Sequence, residues 1–165
     1  MFIRTPSSPL YLTVATLIEK IAGPVSSGFL RLASTDVKLN PIVRFNYFHN
    51  PVDVERCVNG TRKIGDVLRN RALNDFKFRN WLGGQDFRFV GPALPIDQTN
   101  YVQMADFCRR TVSTIWHYHG GCVVGRVVDR DLRVIGIGSL CVVDGSVFGV
   151  SPGTNPQATL MMLGR

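Results

Sequence analysis

Two short segments carry most of the side chains that could do chemistry. The first is Trp116-His117-Tyr118-His119-Gly120-Gly121-Cys122. The second is Val143-Asp144-Gly145-Ser146, followed by Gly153-Thr154-Asn155-Pro156-Gln157. An imidazole that titrates near neutrality can accept a hydroxyl proton. An Asn amide can orient an oxygen and needs no proton balance of its own. His117 and His119 stand two apart, so in a strand they share a face. Such a pair can hold a metal, but no further cluster of ligand types joins it, and no metal site is expected. Judged on residue type alone, either His is more readily a hydrogen-bonded structural residue than a base. Asp144-Gly145-Ser146 reads as an ordinary turn, and Asn155 as an ordinary helix cap. Trp116 and Tyr118 either line a pocket or fill the core.

The elements that must position these residues are legible from periodicity. A short apolar helix is expected from about Leu12 to Ile21, ended by Gly23-Pro24. Gly28 to Ala33 alternates apolar and polar residues, the strand period. Pro41 to Phe48 is β-branched and aromatic, a second strand. Asn50-Pro51 is a helix start, with Asn as cap and Pro in the first turn. Val54, Cys57, Val58, Ile64, Val67 and Leu68 suit the buried stripe of one helix running to about Asn70. Ala72 to Gln98 reads as irregular. A second helix spans roughly Thr99 to Val112. Strands are expected at Cys122 to Val128, Val134-Ile135 and Leu140 to Val143, and a final helix at Asn155 to Leu163.

In order and spacing, the two chemical segments resemble the C-terminal signature of the glucose–methanol–choline (GMC) oxidoreductases. The similarity is greatest to plant members, the (R)-mandelonitrile lyase-like and Hothead-like branch, and covers nearly the whole chain. The resemblance implies an α+β fold. Its antiparallel sheet would be built from Gly28–Ala33, Ile42–Phe48 and the Cys122 region, with helices packed on one face. Residues 1–139 would form the substrate-binding domain, and 140–165 a strand and helix returning to an FAD-binding domain. His117 falls on the family's catalytic His and Asn155 on its second catalytic position. Asp144, Gly145, Asn155, Pro156 and Gln157 fall where the family contacts FAD. Trp116 and Tyr118 become candidate pocket residues, while His119 is better read as structural. Cys57 and Cys108 fall where plant mandelonitrile lyases carry a disulfide; the alternative is two buried free thiols. Cys122 and Cys141, in expected strands, are read as buried thiols.

Two departures shape the functional expectation. No Gly-x-Gly-x-x-Gly unit for the cofactor pyrophosphate is present; Gly120-Gly121 and Gly136-Ile137-Gly138 lack its pattern and context. The chain is therefore expected to be a C-terminal piece that does not hold FAD or turn over alone, its partner being the missing FAD-binding half. Mandelonitrile lyases have His where this chain has Asn155, and Asn cannot take the proton that cyanohydrin cleavage needs. Alcohol oxidation on CH–OH groups is the leading expectation. A hydroxynitrile lyase piece acting on cyanohydrins and a non-catalytic module remain as alternatives. The substrate would be a small alcohol or cyanohydrin.

Composition bounds the rest. Of 165 residues, 45% are hydrophobic and 19% charged, values of a folded domain rather than a disordered chain. The net charge of +7 could serve nucleic acid, but the basic residues are scattered, with no run longer than Arg62-Lys63 or Arg69-Asn70-Arg71. No nucleic-acid partner is expected. The longest apolar stretch, Leu10 to Ile18, is broken by Thr and too short for a bilayer, so no membrane span is expected. No signal peptide is recognised at Met1. The four cysteines and the Asn59-Gly60-Thr61 glycosylation sequon agree with a secretory or extracellular setting for the full-length family.

Overall fold

The computed structural model describes residues 14–79, 82–153 and 155–165. The elements run β1 (Phe29–Arg31), β2 (Ile42–Arg44), α1 (Pro51–Arg69), β3 (Phe78–Arg79), β4 (Gln85–Asp86), α2 (Tyr101–Thr111) and α3 (Gln157–Leu163). The class is α+β, with small antiparallel sheets and helices. β1 pairs with β2 through Phe29↔Arg44, Leu30↔Val43 and Arg31↔Ile42. β3 and β4 form a second antiparallel ribbon.

The core lies between α1 and α2. Asn50 caps α1 by accepting from the Val52 N–H, and Pro51 occupies the first turn. The buried stripe is Val54, Val58, Thr61 and Gly65, one row of a 3.6-residue period. Val54 and Val58 pack with Met104, Ala105 and Cys108 of α2, and Phe48 and Cys57 close the cluster. Each fully buried large apolar side chain here stabilises by about 1.5–3 kcal/mol. Asn100 caps α2 through the Gln103 N–H, one residue inside the expected start. A disulfide joins Cys57 to Cys108 across the two helices, with Cα atoms 6.2 Å apart, inside the range a bridge requires.

Several expectations need correction. Residues 14–21 carry no helix; residues 12 and 13 lie outside the described residues. Val14, Thr16, Ile18 and Ile21 are β-branched and resist helix formation. Tertiary contacts with α1 take over instead. Glu19 accepts from the Thr61 hydroxyl at 3.4 Å, and Arg56 donates to Gly23 O at 2.7 Å. Gly60 permits the first contact, since a Cβ there would collide with the Glu19 carboxylate. The Cys122 region adds no third strand to the β1–β2 sheet. It forms isolated bridges, Val124↔Val128, Val128↔Val134 and Arg133↔Cys141. Left-handed turns at Gly125, Leu132, Gly136 and Ser139 interrupt any longer ladder. β2 stops early because Asn46 and Phe48 take positive φ of 57°. The region read as irregular holds a 3-10 turn at Arg71–Phe76 and the β3–β4 ribbon. Cys141 is exposed and Cys122 half-buried, so neither is a fully buried thiol. No helix of the described residues is long and apolar enough to cross a membrane.

Asp53 ties the segment before β1 to α1. Its carboxylate is buried, with 2% of the residue exposed, and accepts from the Val25 and Ser26 N–H groups at 2.7–3.1 Å. Burial opposes its ionisation. The Ser26 hydroxyl, the two backbone donors and Arg56 outweigh burial and hold the carboxyl below the usual carboxylate range. A depressed folded pKa contributes stability above the unfolded value and loses it as pH falls through the folded one. Asp53→Asn is therefore expected to cost about 2 kcal/mol at neutral pH, the scale of charge-assisted hydrogen bonds. Below about pH 4 the penalty should shrink as the wild-type carboxyl protonates. Urea unfolding at pH 7 and pH 3 checks this; an equal penalty at both would refute the charge-based account.

Candidate functional site

The two chemical segments lie side by side. The Cys122 N–H donates to Ser146 O at 2.8 Å. A Cβ on Gly145 would sit 2.8 Å from Tyr118 O, so the residue is Gly because the backbones pass that closely. Gly121 faces Ser146 in the same way, at van der Waals distance. Asp144 caps the 3-10 turn Gly145–Val147 by accepting from the Ser146 N–H at 2.8 Å. Hydrogen bonding from Ser146 keeps its carboxyl below the ordinary range. Val147 is buried beneath the turn, which anchors it.

His117 is half-buried, and its ring holds no hydrogen bond among the described residues. His119 is also half-buried, with Nδ1 3.4 Å from His117 O. Trp116 precedes them with φ 60°, a left-handed conformation that costs a bulky residue of order 1–3 kcal/mol. Its backbone N–H donates to the Thr114 hydroxyl at 3.0 Å, and the residue is 74% exposed. Trp116 is thus not a core residue, and neither is Tyr118, whose ring stacks on Phe45 at 5.2 Å. Phe45 stacks in turn on Tyr47 at 5.3 Å. Sequence reasoning did not single out Phe45 and Tyr47 for the site. Their signal was the i, i+2 aromatic spacing at the end of β2.

The loop after the turn leads to α3. Lys20 Nζ donates to Gly153 O at 3.0 Å, and Val150 touches the space beside Gly23, so the N-terminal segment braces this loop. Ser151 Oγ is buried with no hydrogen-bond partner among the described residues. Thr154 lies outside the described residues. Asn155 is exposed, and its Oδ1 accepts from the Gln157 N–H at 3.0 Å. Pro156 is buried and precedes the helix, which starts at Gln157, two residues later than expected. No hydrogen bond among the described residues joins Asn155 to His117. Asn59 is exposed on α1, whereas the sequon's Thr61 is 4% exposed. No group of three or more His, Cys, Asp or Glu among the described residues could hold a metal.

Residues 24–164 match the family described as GMC oxidoreductase. The chain belongs to the GMC oxidoreductase family. The family is one of FAD-binding oxidoreductases. Over all 165 residues the chain is 71% identical to an (R)-mandelonitrile lyase-like protein of Arabidopsis thaliana, spanning 30% of that protein's length. It is 44% identical to Sinalpyl alcohol oxidase Nec3 of Nesocodon mauritianus, covering 100% of this chain and 30% of the relative. It is 47% identical over 93% of its length to (R)-mandelonitrile lyase 1 of Prunus serotina, covering 27% of that protein. Among solved structures, pyridoxine 4-oxidase from Mesorbium loti superposes with a TM-score of 0.66 at 26% identity. That superposition covers 86% of this chain and 26% of the oxidase. The formate oxidase of Aspergillus oryzae shares the fold, with a TM-score of 0.72 at 24% identity, over 86% of this chain and 24% of the oxidase.

Proposed function

We propose that this chain is the substrate-side portion of an FAD-dependent GMC oxidoreductase acting on CH–OH groups. The observation that carries the reading is the seating of the His117 segment along the Asp144–Gly145 turn, through the Cys122–Ser146 hydrogen bond and the Gly145–Tyr118 contact. Two stretches over 20 residues apart are thereby joined into one surface, leaving the His117 ring without a hydrogen-bond partner among the described residues.

The residues present suit a flavin. Ser151 offers a buried hydroxyl with no partner among the described residues, and the start of α3 presents backbone N–H groups. Asp144, Gly145, Asn155, Pro156 and Gln157 would flank the cofactor. FAD, when bound, supplies the hydride acceptor for carbon. The chain's own residues handle the rest. His117 takes the hydroxyl proton. Asn155 has Oδ1 engaged at the helix start, which leaves Nδ2 to donate to the substrate oxygen. Trp116 and Tyr118 supply apolar wall. In this reading residues 1–139 bind substrate, and 140–165 return to the FAD-binding part. Outward-facing Val150, Met161 and Met162 in that tail, 64–70% exposed, agree with a partner surface there. A secretory setting fits the disulfide.

Cyanohydrin cleavage is the second reading, favoured by the 47% identity to (R)-mandelonitrile lyase 1. It needs a proton-transferring group where this chain has Asn155. The test joins the chain to the nucleotide-binding half of the mandelonitrile lyase-like relative and supplies FAD. Anaerobic flavin bleaching by benzyl alcohol supports oxidation. Release of benzaldehyde and cyanide from mandelonitrile without bleaching supports the lyase. Neither outcome would make the chain a non-catalytic module and refute the proposal. In the same assembly, Asn155→Ala is expected to slow bleaching by about 10²-fold, the usual loss for one oxygen-directed donor. It should also destabilise the start of α3 by about 1 kcal/mol, the value of the hydrogen bond lost to the Gln157 N–H.

A further inference from the structure

A groove beside the β1–β2 hairpin has no part in the reading above. It is an open depression of about 310 Å3 lined by Ser27, Gly28, Phe29, Arg44, Asn46 and His49. Phe29 and Arg44 are direct partners across the ladder, so their side chains stand on one face. Arg31, two residues on, shares that face, with its guanidinium 5.6 Å from the Phe29 ring centroid. Asn46 adopts φ 57°, which Asn tolerates well, and its Nδ2 donates to Ser27 O at 3.1 Å. The His49 N–H donates to Asn46 O at 3.3 Å, so a tight turn brings His49 back to the groove. None of the lining residues is acidic. Among the described residues no ion pair or hydrogen bond engages the Arg44 guanidinium or the His49 ring. The carboxylate of Asp53, which holds the neighbouring Val25 and Ser26 N–H groups, already faces Arg56 at 3.7 Å.

We propose that this groove binds a small organic anion, with its carboxylate on Arg44 and His49 and its apolar body against Phe29. A guanidinium presents a planar pair of donors that matches a carboxylate. Phe29 is 46% exposed and supplies apolar contact beside that charge. The volume lies at the small end of ligand sites, which suits a single ring rather than a nucleotide. Neither His117 nor Asn155 lines the groove, and benzoate binding there can be tested without any turnover, so the outcome is distinguishable from that of the oxidoreductase reading.

Calorimetric titration of the whole 165-residue chain with benzoate tests it. Saturable one-to-one binding is expected. Arg44→Gln should weaken it at least tenfold, Arg44→Lys less, and His49→Gln a few-fold. Arg88→Gln, on the other hairpin, should leave it unchanged. Benzyl alcohol, without the charge, and inorganic phosphate, without the ring, should each bind at least tenfold more weakly. Equal binding of benzyl alcohol would overturn the anion assignment, and equal binding of phosphate the apolar one. Absent benzoate binding, or binding indifferent to Arg44→Gln, would overturn the site. Thermal melts establish that each variant is folded. Should Arg44→Gln fail to fold, Arg44→Lys combined with His49→Gln decides the matter, and unchanged affinity in that pair overturns the proposal.

Discussion

Replacing His117 with Ala, in the chain joined to an FAD-binding half, is expected to lower alcohol-driven flavin reduction by about 10²–10⁴-fold, the scale of a lost general base. Flavin binding should be retained. The distinction follows from how the segment is held. Its attachment to the Asp144–Val147 turn runs through backbone groups, Cys122 N to Ser146 O and the close pass of Tyr118 O over Gly145. The His117 ring adds no hydrogen bond among the described residues to that attachment, so its removal should leave the surface in place. On the proposed mechanism the alcohol oxygen then keeps its proton, and hydride departure from the carbon of a neutral alcohol is disfavoured. His119→Ala is the control. It removes a ring whose contact is with the His117 carbonyl, and a change of only a few-fold is expected. Bleaching rates measured anaerobically, with the flavin spectrum as the readout of cofactor binding, separate the two effects. An unchanged rate in His117→Ala would leave His117 a structural residue and remove the base from the mechanism.

Loss of the disulfide should have the largest effect on stability. The double variant Cys57→Ala, Cys108→Ala is expected to lose about 4 kcal/mol, from the loop-closure entropy of a bridge whose ends are 51 residues apart. That is a large share of the roughly 5–15 kcal/mol typical of a folded domain. It corresponds to a fall in melting temperature of roughly 8–16 °C at this chain length. The bridge also sits inside the core that the two helices share. The buried apolar contacts there are Val54 and Val58 against Met104, Ala105 and Cys108. Thr61 Oγ1 stands 3.8 Å from Cys57 Sγ and 3.7 Å from Cys108 Sγ, so the cross-link fills the space between α1 and α2. Denaturant unfolding of the double variant beside the wild type measures the effect. A shift below about 1 kcal/mol would mean that the helix pair is held by packing alone.

The chain's own letters determined α1 almost to the residue. Its start lies in the Asn50 cap and Pro51, and its buried row in the 3.6-residue spacing of Val54, Val58 and Thr61. α2 and α3 were legible for the same reason, since caps and periodicity act over a few residues. The family could be read from the two signature segments, because their spacing along the chain is itself sequence information. Tertiary structure alone decided what residues 14–21 do. Their apolar run reads as a helix, but β-branched side chains weaken that choice, and Glu19 finds Thr61 on a helix 42 residues away. It also decided the fate of the Cys122 region. Runs of Val and Ile there call for strands, yet positive-φ turns at Leu132 and Ser139, residue types that seldom enter the left-handed region, reduce them to single bridges. The stacking of Tyr118 on Phe45, and the seating of the His117 segment on the Gly145 turn, depend likewise on residues far apart in the chain. Pairings of that kind are set by which surfaces meet on folding, and no local pattern of residue types encodes them.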